Sequence, residues 1–246
     1  MSNKVFLGVL TVVIVAIVGV FMLFNQSGDN EPKTTQKSKA ELLKVTSADH
    51  VIGDENAEIT LIEYGDFQCP FCATLHLTLD QVLQDEKNED VRFVFRHFPL
   101  AAIHQNAMTA HRAVEAAGKQ GKFFAMHDLV YERQADWSES KNTPKVFEDY
   151  AKELGLNLNK FRKDVNSSAV FETINSGLED GQELGAESTP TLFLNGVQLE
   201  GLILSPGAEA IAAQQLQAAI DATRAGKSPN DAINKVLENF QAQADN

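Results

Sequence analysis

The sequence has little of several things: two cysteines and one tryptophan in 246 residues, and only 21 lysines and arginines against 34 aspartates and glutamates. It has no Gly-rich phosphate loop, no Gly-x-Ser-x-Gly elbow and no EF-hand pattern, which leaves P-loop nucleotide chemistry, hydrolase-type serine catalysis and EF-hand calcium binding without a motif. The net charge of -13 argues against a nucleic-acid partner and against lying on an anionic lipid surface. No internal repeat is present. At 43% hydrophobic and 22% charged residues the chain is otherwise an ordinary globular one, long enough for one good domain plus attachments.

What the chain does have is concentrated in Glu63-Tyr64-Gly65-Asp66-Phe67-Gln68-Cys69-Pro70-Phe71-Cys72, which holds both cysteines. Residues Phe71 to Leu83 read as an amphipathic helix, and Pro70 suits its first position because its missing N–H is not needed there. Cys69 then stands at the N-cap, where unpaired backbone N–H groups and the helix dipole favour an anion and lower the thiol pKa. Cys69 is therefore the expected nucleophile. Cys72, one turn further in, is within disulfide range and more shielded, the expected resolving thiol. Two plainer readings compete. Zinc needs four ligands, and His76 and His97 do not supply the missing pair. A structural disulfide closing a four-residue loop would contribute little entropic stabilisation.

Val5 to Phe24 is an uncharged apolar run long enough to span a bilayer, with Lys4 ahead of it and Asp29 and Glu31 behind. The small residues of a signal-peptidase site are missing from Val20-Phe21-Met22-Leu23-Phe24, so residues 1–24 read as an uncleaved transmembrane anchor. The polar stretch 25–43 reads as a flexible stalk with a reach on the order of 24 Å. These expectations place the catalytic domain, residues 44–225, on the extracytoplasmic side of a cell membrane as part of a single-pass protein.

Within that domain, Ile59 to Tyr64 and Val91 to Phe98 read as strands joined by the CxxC helix, a parallel βαβ unit. Helical patterns follow: Ile103–Ala117, Gly121–Glu132, Pro144–Leu154 and Asn159 to about Leu184. Thr191 to Glu200 reads as a hairpin around Asn195-Gly196, Ser205 to Thr223 as a helix, and 226–246 as a helical tail. His104 and His111, seven apart on one predicted helix, would share a face. With His127 they read as packing residues, so neither a metal nor a cofactor is expected. Phe123, Phe124, Met126, Tyr131 and Trp137 read as the core of the helical block.

This order is that of a thioredoxin-like α/β fold with an inserted helical subdomain at about 101–187. With Asp66-Phe67-Gln68-Cys69-Pro70-Phe71-Cys72, His97-Phe98-Pro99-Leu100 and Ser188-Thr189-Pro190-Thr191, the chain resembles the DsbA-like thiol-disulfide oxidoreductases, especially their membrane-anchored bacterial branch. The resemblance, from about Asp49 to Thr223, implies a cis bond at Thr189-Pro190. It further implies substrate contacts at Thr189, Pro70 and Phe71, and a buried acid, Glu63, that moves protons to and from Cys72. A carboxylate in an apolar strand is costly to bury, so its pKa is expected to rise. The implied activity is disulfide formation in reduced exported proteins, with reoxidation by a quinone-linked membrane partner resembling DsbB or a vitamin K epoxide reductase-like protein. A disulfide reductase or isomerase, or a tethered peptide-binding chaperone, is the alternative.

Overall fold

The computed structural model describes residues 37–244. The anchor and most of the stalk lie outside the described residues. Five strands form one mixed sheet in the order β1-β3-β2-β4-β5. They are β1 (His50–Ile52), β2 (Ile59–Gly65), β3 (Val91–His97), β4 (Thr191–Leu194) and β5 (Val197–Gln198). Central β2 runs parallel to β3 and antiparallel to β4. Covered on both faces, β2 and β3 are almost continuously buried, as central strands are. The sequence carried no signal for the three-residue β1, which pairs antiparallel with β3.

Helix α1 (Lys39–Leu42) precedes the sheet, and α2 (Pro70–Leu83) crosses from β2 to β3. Then come α3 (Ala107–Gly118), α4 (Phe123–Glu132), α5 (Gln134–Trp137), α6 (Thr143–Glu153), α7 (Leu158–Val165) and α8 (Ser168–Glu183). After the hairpin the chain ends in α9 (Glu209–Arg224) and α10 (Pro229–Ala244). One apolar cluster joins Leu61, Phe67, Phe93 and Phe95 to α2, α4, α9 and Ile233 of α10; Tyr64, Val94, Phe98 and Phe193 centre a second. Phe123, Met126, Tyr131 and Trp137 are buried in the first, with Phe124 packed against it.

Three expectations are corrected. The helix expected from Ile103 begins at Ala107 instead, because His104 is drawn off to Asp66 by a 2.8 Å hydrogen bond; His104 and His111 therefore share no helical face. The helix expected over Asn159–Leu184 is two, parted at Asn166-Ser167, where Ser167 accepts from Val170 N and caps α8. Ser38–Leu43, read as the end of the stalk, holds the capped helix α1, and Leu42 is buried.

What ties α1 down is Arg96, buried on β3. Its guanidinium donates to Asp49 Oδ1 at 2.7 Å, Tyr64 Oη at 2.8 Å and Lys44 O at 3.0 Å, and also to Leu42 O. Arg96→Leu removes the guanidinium from two carbonyls and from Asp49, whose side chain is 10% exposed and keeps only Thr46 as a donor. It is expected to cost about 3–5 kcal/mol in a chemical denaturation experiment.

Candidate functional site: the Cys69–Cys72 dithiol

Strand β2 ends at Gly65 and the chain turns through Asp66, Phe67 and Gln68 into α2, with Pro70 at the first helical position. Cys69 occupies the N-cap in extended conformation (φ -73°, ψ 124°). Both cysteines are reduced. Cys72 is 0% exposed and Cys69 only 4%. The Thr189-Pro190 bond is cis, and the Cys69 thiol donates to Thr189 O at 3.3 Å, so the proline loop lies against the dithiol. Pro70 is exposed, as is Phe71 at 46%, while Thr189 is buried and Pro190 half-buried.

The two sulfurs are electrostatically unlike. The neighbouring Cys72 thiol lowers Cys69 from 9.0 to about 6 against the opposing effect of burial, helped by Thr189 and by the backbone N–H groups of Cys72 and Phe71. The helix-end effect expected from the sequence is thus present, but as a helper. Burial pushes Cys72 well above 9.0, and the negative charges of Cys69 and Glu63 add to that.

Glu63 is 1% exposed, mid-strand between Phe95 of β3 and Leu192 of β4, and its Oε1 has no hydrogen-bond partner among the described residues. Burial raises it from 4.5 to about 8, with contact to the Cys72 thiol pulling the other way. At neutral pH it is therefore largely a protonated acid beside the inner sulfur. Gly65 makes room for it: a Cβ there would stand 2.5 Å from Glu63 Oε1 and 2.6 Å from Phe95.

Family membership follows from the match to the model described as thioredoxin, which covers residues 45–222. The chain belongs to that thioredoxin family. Solved structures share its fold: α-DsbA1 from Wolbachia pipientis has a TM-score of 0.64 at 19% identity, over 82% of this chain and 100% of that one. A thioredoxin-like oxidoreductase from Silicibacter pomeroyi DSS-3 (0.58, 23%, 73% and 94%) and oxidised BdbD from Bacillus subtilis (0.57, 21%, 78% and 94%) are also similar. Among curated proteins, the Na(+)/H(+) antiporter NhaA 1 of Mycolicibacterium vanbaalenii is 38% identical over 157 residues, 62% of this chain but 24% of the antiporter. The chain spans about a quarter of the length of such relatives.

Beyond the family's cysteine pair and proline loop lies a polar frame that the sequence reading passed over. Asp66, fully buried, accepts from Gln68 N (2.7 Å) and Leu100 N (2.8 Å) and meets His104 Nδ1, while its own N–H reaches Cys72 Sγ at 3.5 Å. Gln68 donates to Ser138 O and accepts from Asn106 N, both at 2.8 Å. Gln134 donates to the carbonyls of Phe67 and Cys69 at 2.8 and 3.0 Å. The helical insertion thus holds the active-site turn by its backbone. Asp66 two residues before Gln68 is a legible Asx-turn signal; Gln134 carries none.

Four of the six histidines fall into two groups that could hold a metal, each with one carboxylate. In one, Glu115 Oε2 lies 2.7 Å from His50 Nε2 and 3.2 Å from His97 Nε2. Burial opposes its charge, but these two hydrogen bonds hold Glu115 at about 2. The other is His76, His127 and Asp128. His76 and His97 fall in different groups.

Proposed function

We propose that this protein is an extracytoplasmic thiol-disulfide oxidoreductase that introduces disulfides into exported proteins. The observation that carries the reading is the asymmetry of the dithiol: Cys69 at the N-cap of α2 against Thr189 O, its pKa lowered to about 6, beside a fully enclosed Cys72 whose pKa burial raises. A substrate thiolate attacks Cys69 Sγ, the Cys69–Cys72 bond breaks, and the electron pair leaves on Cys72. A second substrate thiol then displaces Cys69. Phe71, exposed beside the pair, and the Thr189-Pro190 backbone offer an apolar and a hydrogen-bonding contact to an extended substrate segment.

The direction of electron flow follows from what the reduced form gains. At pH 7, a thiol held at about 6 instead of 9 stabilises the reduced state by about 1.4 kcal/mol, close to 30 mV toward the oxidising side. That is about a fifth of the gap between thioredoxin and DsbA. Location adds to this without changing the potential: the anchor expected at residues 5–24 would keep the domain in an oxidising compartment near a quinone-linked membrane reoxidase.

Incubating the oxidised full chain with a reduced dithiol peptide tests this. Peptide disulfide is expected to form stoichiometrically and to be lost in Cys69→Ala. Aggregation suppression that survives Cys69→Ala, with no peptide oxidation by the unsubstituted chain, would support a tethered chaperone instead.

A further inference from the structure

The proton role proposed for Glu63 needs a route to solvent from a fully enclosed position, and α2 and α4 carry a set of buried polar groups that are candidates for it. His76 lies one turn beyond Cys72 on α2; His127, Asp128 and Tyr131 lie on α4. The His76, His127 and Tyr131 rings touch pairwise, with centroids 4.9 to 5.4 Å apart. All three are buried, and Tyr131 Oη, His76 Nε2 and His127 Nε2 have no hydrogen-bond partner among the described residues. At the outer end Asp128, 46% exposed, lies 2.9 Å from His127 Nδ1 and 4.0 Å from His76 Nδ1. At the inner end the charged neighbours of Tyr131 are Cys72, Glu63, Asp66 and Cys69.

Leucine and phenylalanine would fill this space without enclosing three unpaired polar atoms, each of which loses hydration with no protein partner in return. Water reaching these atoms would supply the missing hydrogen bonds. We propose that Tyr131, His76 and His127 are positioning residues lining a buried polar path, along which a proton passes between Glu63 and the half-exposed carboxylate of Asp128.

The inference rests on the oxidoreductase reading. When the Cys69–Cys72 bond breaks, Cys72 Sγ takes the electron pair. The Glu63 O–H bond breaks as an S–H bond forms, leaving a carboxylate, and a proton from solvent at Asp128 restores the acid. Reoxidation runs the same path outward. Besides Asp128, the groups facing the two imidazoles are Asp80 of α2, Glu132 of α4 and His97 of β3.

The test is single-turnover reduction of the oxidised full chain by excess dithiothreitol from pH 6 to 9, in H2O and D2O. The variants are Tyr131→Phe, which keeps the ring, and the exposed Asp128→Asn. Both are expected to slow the reaction about tenfold at pH 8 with a larger solvent isotope effect and partial rescue by added imidazole. The Cys69 titration followed at 240 nm should stay in place. Rates within twofold of the unsubstituted chain, or slowing with neither isotope effect nor imidazole rescue, would overturn the path while leaving the oxidoreductase reading intact. No exchange by the unsubstituted chain would sink both.

Discussion

Cys69→Ser is expected to reduce disulfide transfer to the uncatalysed background, whereas in Cys72→Ser the Cys69 thiolate still attacks an oxidised substrate's disulfide and accumulates a mixed disulfide visible on a non-reducing gel. The difference follows from the division of labour between the sulfurs. With a pKa of about 6, Cys69 is about 90% thiolate at pH 7, against about 1% for a thiol at 9. That gain is partly offset, because nucleophilicity falls with pKa, here by roughly 15- to 30-fold over three units. The net advantage as an attacker is therefore only a few-fold. The larger benefit comes when Cys69 leaves the mixed disulfide, since a more acidic thiol leaves faster. The site is better suited to releasing a newly oxidised substrate than to attacking an existing disulfide. Cys72 at 0% exposure is shielded from substrate, so without it the enzyme reacts but cannot resolve.

Glu63→Gln is expected to move stability and activity in opposite directions. The folded-state pKa of Glu63 is raised to about 8 from 4.5, so above pH 4.5 the folded chain holds a proton that the unfolded chain gives up. The stabilisation from that protonated, buried acid is fully present below 4.5 and is lost as pH rises through 8. Glutamine has no such loss. The variant should therefore gain on the parent as pH rises, by on the order of 4 kcal/mol near pH 8, read from urea midpoints at pH 5 and pH 8. Exchange should fall on the order of 10²-fold, because the amide cannot deliver a proton to the Cys72 sulfur. Equal rates for the two proteins would remove Glu63 from the reaction, whatever the stability curve does.

Much of this site was legible because its chemistry is local in the chain. Cys69-Pro70-Phe71-Cys72 sets its own helix register, and the apolar run of β2 with one acid in it announces a buried carboxyl. The hairpin at Asn195-Gly196 is likewise its own signal: Asn195 has a φ of 45° and Gly196 of 84°. What escaped depends on partners far away in sequence. Strand β1 exists through three residues paired with β3 and through Asp49 against Arg96, 47 positions on. His104 leaves the helix it was expected to join for Asp66, 38 positions back. Gln134 and Gln68 hold the active-site turn through bonds spanning 65 to 70 residues, for which polar side chains carry no periodicity. The break at Asn166-Ser167 was missed because its cap, a serine followed by a helix-compatible run, looks like any polar residue on a helix surface.

The most direct test is the redox equilibrium of the full chain against reduced and oxidised glutathione, with the Cys69–Cys72 state read by alkylation. A single two-electron transition is expected, with a midpoint on the oxidising side of thioredoxin, at about -240 mV or above. A midpoint at or below about -260 mV, or cysteines that never equilibrate with glutathione, would contradict a dithiol built to pass disulfides outward.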